Sequence, residues 1–162
     1  MATVYISIGS NIECEKYIRA GIKALASYYG DLICSPVYES IAVGFEGDNF
    51  YNLVAAFDTN ESYQTVNANL SNIEDLNGRD RSSAKFSART LDLDLLLYGD
   101  LVLSSKELTL PRPEIYNNAF VLQPLADIAS TMIDPKSNRS FGELWTEFDK
   151  SKQKLWVVNL EI

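Results

Sequence analysis

Histidine is absent from all 162 residues of the sequence, and cysteine occurs only twice. The lack of imidazole excludes Ser-His-Asp hydrolysis, Cys-His proteolysis and His-ligated zinc, because each of these needs a histidine to move a proton or hold a metal. Cys14 and Cys34 form no CxxC pair and so favour reduced thiols in a cytoplasmic protein. Any chemistry must therefore use carboxylates, arginines, lysines or a bound cofactor.

Basic residues are also few: 14 Lys and Arg against 22 Asp and Glu give a net charge of −8. That charge disfavours nucleic acid and anionic lipid as partners, since both bind basic surfaces. No apolar run reaches the roughly 20 residues that span a bilayer, and no basic leader precedes the first strand-like segment. With 46% apolar and 22% charged residues, we expect a single globular domain over residues 1–162, cytoplasmic and without a membrane anchor.

The periodicity of apolar residues predicts strands that alternate with helices. The order strand, helix, strand, strand, helix, strand is that of a split βαβ unit, which predicts an α+β fold: a ferredoxin-like βαββαβ sandwich with an added C-terminal α/β portion. The predicted elements are strands at residues 3–8, 32–40, 50–58 and 90–98, helices at 13–29 and 61–77, a short 101–103 segment that pairs back as a hairpin, and a last strand at 155–158.

The sharpest motif is the run Thr-Leu-Asp-Leu-Asp-Leu-Leu-Leu-Tyr at residues 90–98. Alternation along a strand puts Asp92 and Asp94 on one face. It puts Leu91, Leu93, Leu95 and Leu97 on the other face, in the core. Paired hard oxygen ligands suit Mg²⁺, which takes its remaining ligands from water and from a substrate's phosphates. The alternative for such a pair is a solvated strand face.

The segment before this strand concentrates positive charge in an acidic protein. Arg79, Arg81, Lys85 and Arg89 fall within eleven residues. Because arginine pairs with phosphate oxygens in bidentate geometry, the segment predicts a local anion site. A solvated loop that serves solubility is the alternative. Arginines that lead directly into a carboxylate pair favour a site for Mg²⁺ and a polyphosphate.

Aromatic and amide residues open the third predicted strand, at Phe50 and Asn52, and Phe120 occurs in a later apolar segment. A flat heteroaromatic ring binds between stacking faces, and an asparagine amide matches its donors and acceptors. The alternative is that these aromatic residues belong to the core.

Several motifs, in order and over nearly the whole chain, resemble the 6-hydroxymethyl-7,8-dihydropterin pyrophosphokinase family of folate biosynthesis. The resemblance implies transfer of pyrophosphate from ATP to the hydroxymethyl group of the dihydropterin, with release of AMP and with two Mg²⁺ ions. We expect a monomer whose partners are these two small molecules. The motifs are Gly9-Ser10-Asn11, Phe50-Tyr51-Asn52, Arg89-Thr90-Leu91-Asp92-Leu93-Asp94-Leu95, Leu110-Pro111 and Ala119-Phe120-Val121-Leu122-Gln123-Pro124-Leu125.

The resemblance also implies a role for individual residues. Asp92 and Asp94 would hold the metal, and Asp94, Arg79 and Arg89 would be catalytic. The implied ATP-binding residues are Ser71, Glu74, Arg79, Arg81, Arg89, Leu95, Thr109 and Arg112. The implied pterin-binding residues are Gly9, Ser40, Ile41, Val43, Phe50, Asn52, Phe86 and Phe120.

Three positions depart from the family's pattern, and each bears on the triphosphate. Arg112 stands where the family usually has histidine, while Asn118 and Glu107 stand where basic residues are common. Each missing donor to a phosphate would cost about 1.5 to 3 kcal/mol. These departures leave open a divergent homologue that binds pterin or nucleotide with weak or no transfer. A ferredoxin-like regulatory or interaction domain with no polyphosphate site is a further alternative.

Overall fold

The computed structural model describes residues 1–41, 49–78 and 90–160, without the side chain of Lys152. Within these ranges the chain is a mixed α and β fold with an antiparallel sheet and five α-helices. The strands are β1 (Ala2–Ser10), β2 (Ile33–Cys34), β3 (Val37–Ser40), β4 (Phe50–Thr59), β5 (Asp92–Tyr98), β6 (Leu103–Ser104), β7 (Thr109–Leu110) and β8 (Leu155–Val158), and the helices are α1 (Cys14–Tyr29), α2 (Tyr63–Leu76), α3 (Glu114–Asn117), α4 (Ala119–Ala129) and α5 (Phe141–Glu147).

Six strands form the main sheet, in the order β5-β1-β4-β3-β8, with β2 paired to β4 beside β3. Every pairing in this sheet is antiparallel. Strands β6 and β7 form a separate two-stranded sheet. The C-terminal end of β1 and the N-terminal ends of β4 and β5 consequently meet at one end of the main sheet.

Both faces of the main sheet are covered by helices. On one face, Ile18 and Leu25 of α1 and Leu70 of α2 pack in a cluster with alternate residues of β1 and β5. On the other face, Leu125 of α4 and Phe141 of α5 pack in a second cluster. Each helix buries its one apolar stripe against the sheet. The helices thereby determine which sheet residues are covered and which stay accessible to a ligand at the strand ends.

The predicted strand at residues 32–40 is interrupted in the structure. Ser35 and Pro36 separate β2 from β3, and a proline has no N–H to donate to a sheet ladder. Ser35 makes two hydrogen bonds to Val54 of β4. Its N–H donates to the Val54 carbonyl, and its Oγ accepts from the Val54 N–H, both at 2.9 Å. The chain thus stays attached to β4 across the break.

The prediction that residues 101–103 pair back as a hairpin is wrong. Strand β6 begins at Leu103 and pairs with β7, not with β5. Ser105 closes the intervening turn, since its N–H and its Oγ both donate to the Leu108 carbonyl, at 3.1 and 2.9 Å. The turn therefore joins β6 to β7, a partner that the apolar run at residues 101–103 did not predict.

Leu97 is also misplaced by strict alternation. The register of β1 on β5 shifts between Tyr5, which faces Leu97, and Ile6, which faces Leu95. Leu96 is the extra residue of this bulge, and a bulge interrupts the two-residue period of a strand. Leu97 accordingly packs with Leu96 in the cluster beneath α4, whereas Leu91, Leu93 and Leu95 pack on the α1 and α2 face as predicted.

No helix in the described ranges combines the length and apolar character that a transmembrane span requires.

Candidate active site

One row of residues crosses the sheet at the end where β1, β4 and β5 meet. Gly9 is the register partner of Asp92 on one side and of Asn52 on the other, and Asn52 is the partner of Tyr38. Directly opposed residues of antiparallel strands project from the same face. Asp92, Asn52 and Tyr38 therefore share one face of the sheet, and Gly9 leaves a gap between the two polar residues.

A second row lies two residues further along the strands, on the same face. Asp94 faces Ser7, and Ser7 faces Val54. Val54 belongs to the apolar cluster beneath α4. The two carboxylates predicted to share a face thus lie on the α4 side of the sheet, at its β5 edge, and both are half-buried.

We call Asp92, Asp94, Arg112 and Glu114 the acidic half of the site. Burial raises the pKa of Asp94 to about 7, and the neighbouring charges of Asp92, Glu74 and Glu114 act in the same direction. Like charges in a poorly solvated place disfavour ionisation of one another. A cation placed among these oxygens would remove the penalty.

Arg112 is the cation that the described chain brings to this cluster. Its Nη2 lies 3.4 Å from Asp94 Oδ1, and its Nε donates to Glu114 Oε2. Its backbone N–H donates to the Leu96 carbonyl at 3.0 Å, which anchors the residue beside β5. Burial alone would lower the pKa of Arg112. The surrounding carboxylates, of which Asp94 has the largest effect, raise it by more, so the pKa of Arg112 is raised overall. Arg112 therefore offsets only part of the negative charge.

Glu74, an implied ATP-binding residue, contacts the strand that carries the aspartates. Its side chain is buried on α2, and its Oε2 accepts the Leu93 N–H at 2.8 Å. Among the described strands β5 is at the edge of the main sheet, so none of them lies on the side to which that N–H points. Glu74 fixes the strand between the two aspartates.

The other implied ATP-binding residues of the described chain surround β5. Ser71 is half-buried on α2, one turn before Glu74, and Thr109 is half-buried on β7. The Leu95 side chain is fully buried in the core. A ligand could reach Leu95 only through its backbone, whose N–H and C=O point to the same edge as those of Leu93.

We call Gly9 and Asn52 the neutral half of the site. Asn52 is 5% exposed, and its Nδ2 has no hydrogen-bond partner among the described residues. A Cβ on Gly9 would lie 2.6 Å from Asn52 Oδ1, a separation that real contacts do not allow. The glycine is thus required for the position of the amide, and the amide has a donor that a bound molecule could use.

Four other implied pterin-binding residues lie in the described part of the chain: Ser40, Ile41, Phe50 and Phe120. Ser40 is buried and faces Phe50 in the sheet register, whereas Ile41 is exposed. Phe120 is half-buried in the first turn of α4. That helix is fastened to β3 by the Tyr38 hydroxyl, which donates to Asp127 Oδ2 at 2.5 Å.

Five implied site residues lie outside the described residues: Val43, Arg79, Arg81, Phe86 and Arg89. The described residues therefore supply the metal-ligand candidates and part of the ring pocket.

The donor set fits Mg²⁺. Asp92 and Asp94 offer hard carboxylate oxygens from one strand face. In the described part of the chain, no group of three or more His, Cys, Asp or Glu side chains could hold a metal by itself. A pair of carboxylates leaves coordination positions for water and for phosphate oxygens, which is how Mg²⁺ is usually bound with a nucleotide.

Sequence reasoning did not single out Glu114, Tyr38 or Asp127. Glu114 follows Arg112 by two residues, and an arginine followed so closely by a carboxylate was the available signal. Tyr38 and Asp127 are 89 residues apart and gave no local signal.

The fold is a mixed α and β one, and one face of its sheet presents a carboxylate pair that suits Mg²⁺ and a phosphate-bearing substrate. Residues 5–130 match the sequence profile of the family described as 7,8-dihydro-6-hydroxymethylpterin-pyrophosphokinase (HPPK). The chain belongs to this family, and it is an ATP-dependent pyrophosphokinase of folate biosynthesis.

Curated relatives support the assignment over most of the chain. A 2-amino-4-hydroxy-6-hydroxymethyldihydropteridine pyrophosphokinase of Haemophilus influenzae is 34% identical over 141 residues, which cover 85% of this chain and 88% of the relative. The protein of the same name from Aquifex aeolicus is 36% identical over 149 residues, or 91% of this chain and 92% of the relative. That from Pseudomonas aeruginosa is 38% identical over 130 residues, or 78% and 80%.

Solved structures share the fold. The HPPK-DHPS of Plasmodium falciparum, solved with SDX-DHP, aligns with a TM-score of 0.73 at 12% identity over 95% of this chain. An HPPK-DHPS solved in complex with substrates also gives 0.73, at 12% identity over 93% of this chain. This chain spans about half the length of those two, 47% and 44%.

Proposed function

We propose that this chain transfers the pyrophosphate group of ATP to the hydroxymethyl group of 6-hydroxymethyl-7,8-dihydropterin. The hydroxyl loses its proton to solvent as its oxygen bonds to the β-phosphorus, and the bond from that phosphorus to the oxygen shared with the α-phosphate breaks. AMP leaves with that electron pair, and the pterin keeps the diphosphate. The observation that carries the proposal is the pairing of the acidic half and the neutral half on one sheet face, two strands apart.

The acidic half is proposed to take the triphosphate and its metal. Asp92 and Asp94 would hold Mg²⁺, two ions in all, and bound Mg²⁺ supplies positive charge to the phosphate oxygens. Asp94 also lies near the attacking hydroxyl in this proposal. Its raised pKa supports the assignment, because an under-neutralised carboxylate favours a cation.

Arginines are proposed to complete the neutralisation of the transferred group. Arg79 and Arg89 would clamp the phosphates, and Arg81 would belong to the same nucleotide-binding segment, as the family resemblance implies. Arg112 supports this from the described chain, since its guanidinium already lies 3.4 Å from Asp94. In phosphoryl transfer such positioned charges supply most of the catalysis.

The other implied ATP-binding residues would each contribute through a different group. Ser71 and Thr109 would contact the nucleotide by their hydroxyls, and Leu95 by its backbone. Glu74 acts through the Leu93 N–H that it binds, and so holds the aspartate strand in place.

The neutral half is proposed to bind the pterin. The unpartnered Asn52 Nδ2 would donate to a ring acceptor, while Oδ1 would accept from a ring N–H. Phe50 and Phe120 would stack on the two faces of the ring. The other proposed pterin residues are Gly9, Ser40, Ile41, Val43 and Phe86.

The strand order also supports a finer description of the fold. We propose that β1, α1, β3, β4, α2 and β5 form a ferredoxin-like core, because their sheet order β5-β1-β4-β3 interleaves two βαβ units. The C-terminal helices and β8 are then the added portion. A single domain, a monomer and a cytoplasmic location complete the proposal.

The test is a reaction of the chain with ATP, Mg²⁺ and 6-hydroxymethyl-7,8-dihydropterin, followed by chromatography. We expect equal amounts of AMP and pterin diphosphate, and no AMP when the pterin is omitted. Tight binding of both ligands without AMP would favour a divergent binding homologue, for which Glu107, Asn118 and Arg112 are the grounds. Binding of neither ligand would favour a regulatory domain.

A further inference from the structure

The side chain of Gln153 joins the ends of two helices. Its Oε1 accepts the Ala119 N–H at 2.7 Å, and its Nε2 donates to the Asn117 carbonyl at 2.8 Å. Helix ends leave such backbone groups without partners, and the Asn118 side chain makes no capping bond to α4. One amide from a distant segment therefore fixes the α3–α4 junction, and Phe120 follows it immediately.

The same segment is attached to the sheet two residues later. Leu155 begins β8 and faces Ser40, whose other partner is Phe50. The next residue, Trp156, donates from Nε1 to Glu39 Oε1 at 3.0 Å. The segment that caps α4 thus continues directly into the strand beside Ser40 and Phe50.

We infer that Gln153 is a positioning residue for pterin recognition, an inference that rests on the function proposed above. Two residue steps span at most about 7 Å, so residues 153–155 limit the separation between the N-terminus of α4 and the Ser40 end of β3. Phe120 lies at that end of α4, and Phe50 lies beside Ser40; these are the two aromatic residues proposed to stack on the pterin. Gln153 also lies outside the residues that match the family profile, which end at 130.

A positioning role for Gln153 predicts a different effect on ligand affinity from a role in stability alone. A merely stabilising contact would leave the affinity for both ligands unchanged at a temperature where the protein is folded. Gln153 instead contacts the N-terminus of α4, and its bonds involve neither the acidic half nor β5. Its loss should therefore weaken pterin binding and spare the nucleotide.

The experiment compares three variants of the full chain by calorimetric titration. Gln153→Met keeps the side-chain length without hydrogen bonds, Gln153→Glu keeps an acceptor for the Ala119 N–H, and Lys154→Ala alters the exposed neighbour as a matched control. The pterin is titrated in the presence of a saturating non-hydrolysable Mg-ATP analogue, and the analogue is titrated alone. Circular dichroism fixes a temperature at which every variant is folded.

We expect Gln153→Met to raise the Kd of the pterin about tenfold, as the loss of two modest hydrogen bonds implies, and to change the Kd of the analogue less than twofold. Gln153→Glu should recover part of the pterin affinity, and Lys154→Ala should match the wild type. An unchanged pterin Kd in Gln153→Met, or an equal loss for both ligands, would overturn this inference alone. A wild-type chain that binds the analogue but not the pterin would overturn the proposed function and this inference with it.

Discussion

The acidic half and the neutral half lie on one sheet face but are incomplete in different ways. In the acidic half, three carboxylates surround the one guanidinium that the described residues place there, so what is missing is positive charge. In the neutral half, a buried amide beside a glycine has a donor without a partner among the described residues, so what is missing is a hydrogen-bond partner. Under the proposed function a metal-bound triphosphate would complete the first and a heterocycle the second, and a transfer between two substrates requires them to be adjacent.

Removal of a metal-ligand carboxylate should have the largest effect. Asp92→Ala and Asp94→Ala are each expected to lower the rate of AMP formation by about three orders of magnitude, because charge stabilisation of the transferred group is lost. Circular dichroism should show an intact fold. Asp100→Ala, in the exposed turn after β5, is the control and should retain full turnover. Wild-type turnover in either strand variant would refute the role given to the acidic half.

A side chain at Gly9 should weaken pterin binding at the neutral half and leave nucleotide binding at the acidic half unchanged. In Gly9→Ala the new Cβ displaces Asn52 Oδ1, and the pterin Kd should rise about 30-fold, since the ring loses a paired set of hydrogen bonds. The affinity for a Mg-ATP analogue should stay within twofold. In an Asn52→Ala background the same substitution should cost little more, which a double-mutant cycle measures. Additive losses would contradict the steric link.

The acidic half should make stability fall as pH rises. The pKa of Asp94 is about 7 in the folded protein, against about 3.9 for an unfolded chain. Between these values the folded state holds a proton that the unfolded state has released, so the free energy of unfolding decreases until the pH exceeds about 7.

Asp94→Asn removes this dependence. Without Mg²⁺ or nucleotide, the variant should be more stable than the wild type by about 1 to 3 kcal/mol at pH 8, an amount reduced by partial solvation, and nearly equal to it at pH 4. Urea unfolding at the two pH values measures the difference. Asp100→Asn is the matched control, and a wild type that gains stability between pH 4 and 8 relative to Asp94→Asn would reverse the sign argued here.

The smallest effect is expected at the attachment of α4. Tyr38→Phe removes the hydroxyl that donates to Asp127, which should lower the free energy of unfolding by about 1 kcal/mol and raise the pterin Kd only a few-fold. Urea unfolding and calorimetry measure the two quantities. If the pterin Kd rose as much as in Gly9→Ala, the position of the helix and not the Asn52 amide would dominate the neutral half.

Local pattern predicted much of this molecule because side-chain period and apolar content are local properties. The common face of Asp92 and Asp94, the last strand and the family resemblance are confirmed. Leu97 was misplaced, because a bulge that inserts Leu96 changes the period without changing the composition.

Long-range polar contacts could not be predicted from one sequence. Glu74 and Leu93 are 19 residues apart, and Gln153 lies 34 residues from Ala119. Their bonds depend on where α2 and the C-terminal segment pack, which no spacing rule reports. The roles assigned to individual site residues stay predictions until they are measured.

The most direct test of the central claim is the distance between the two halves with ligand bound. Mn²⁺ can replace Mg²⁺ with a non-hydrolysable ATP analogue, and its paramagnetic broadening of NMR signals decreases steeply with distance. Asp92 and Asn52 are two strands apart, roughly 10 Å. We predict strong broadening of the Gly9 and Asn52 amide signals and little at Thr59, at the far end of β4. Equal broadening along β4, or broadening at Thr59 alone, would contradict the account.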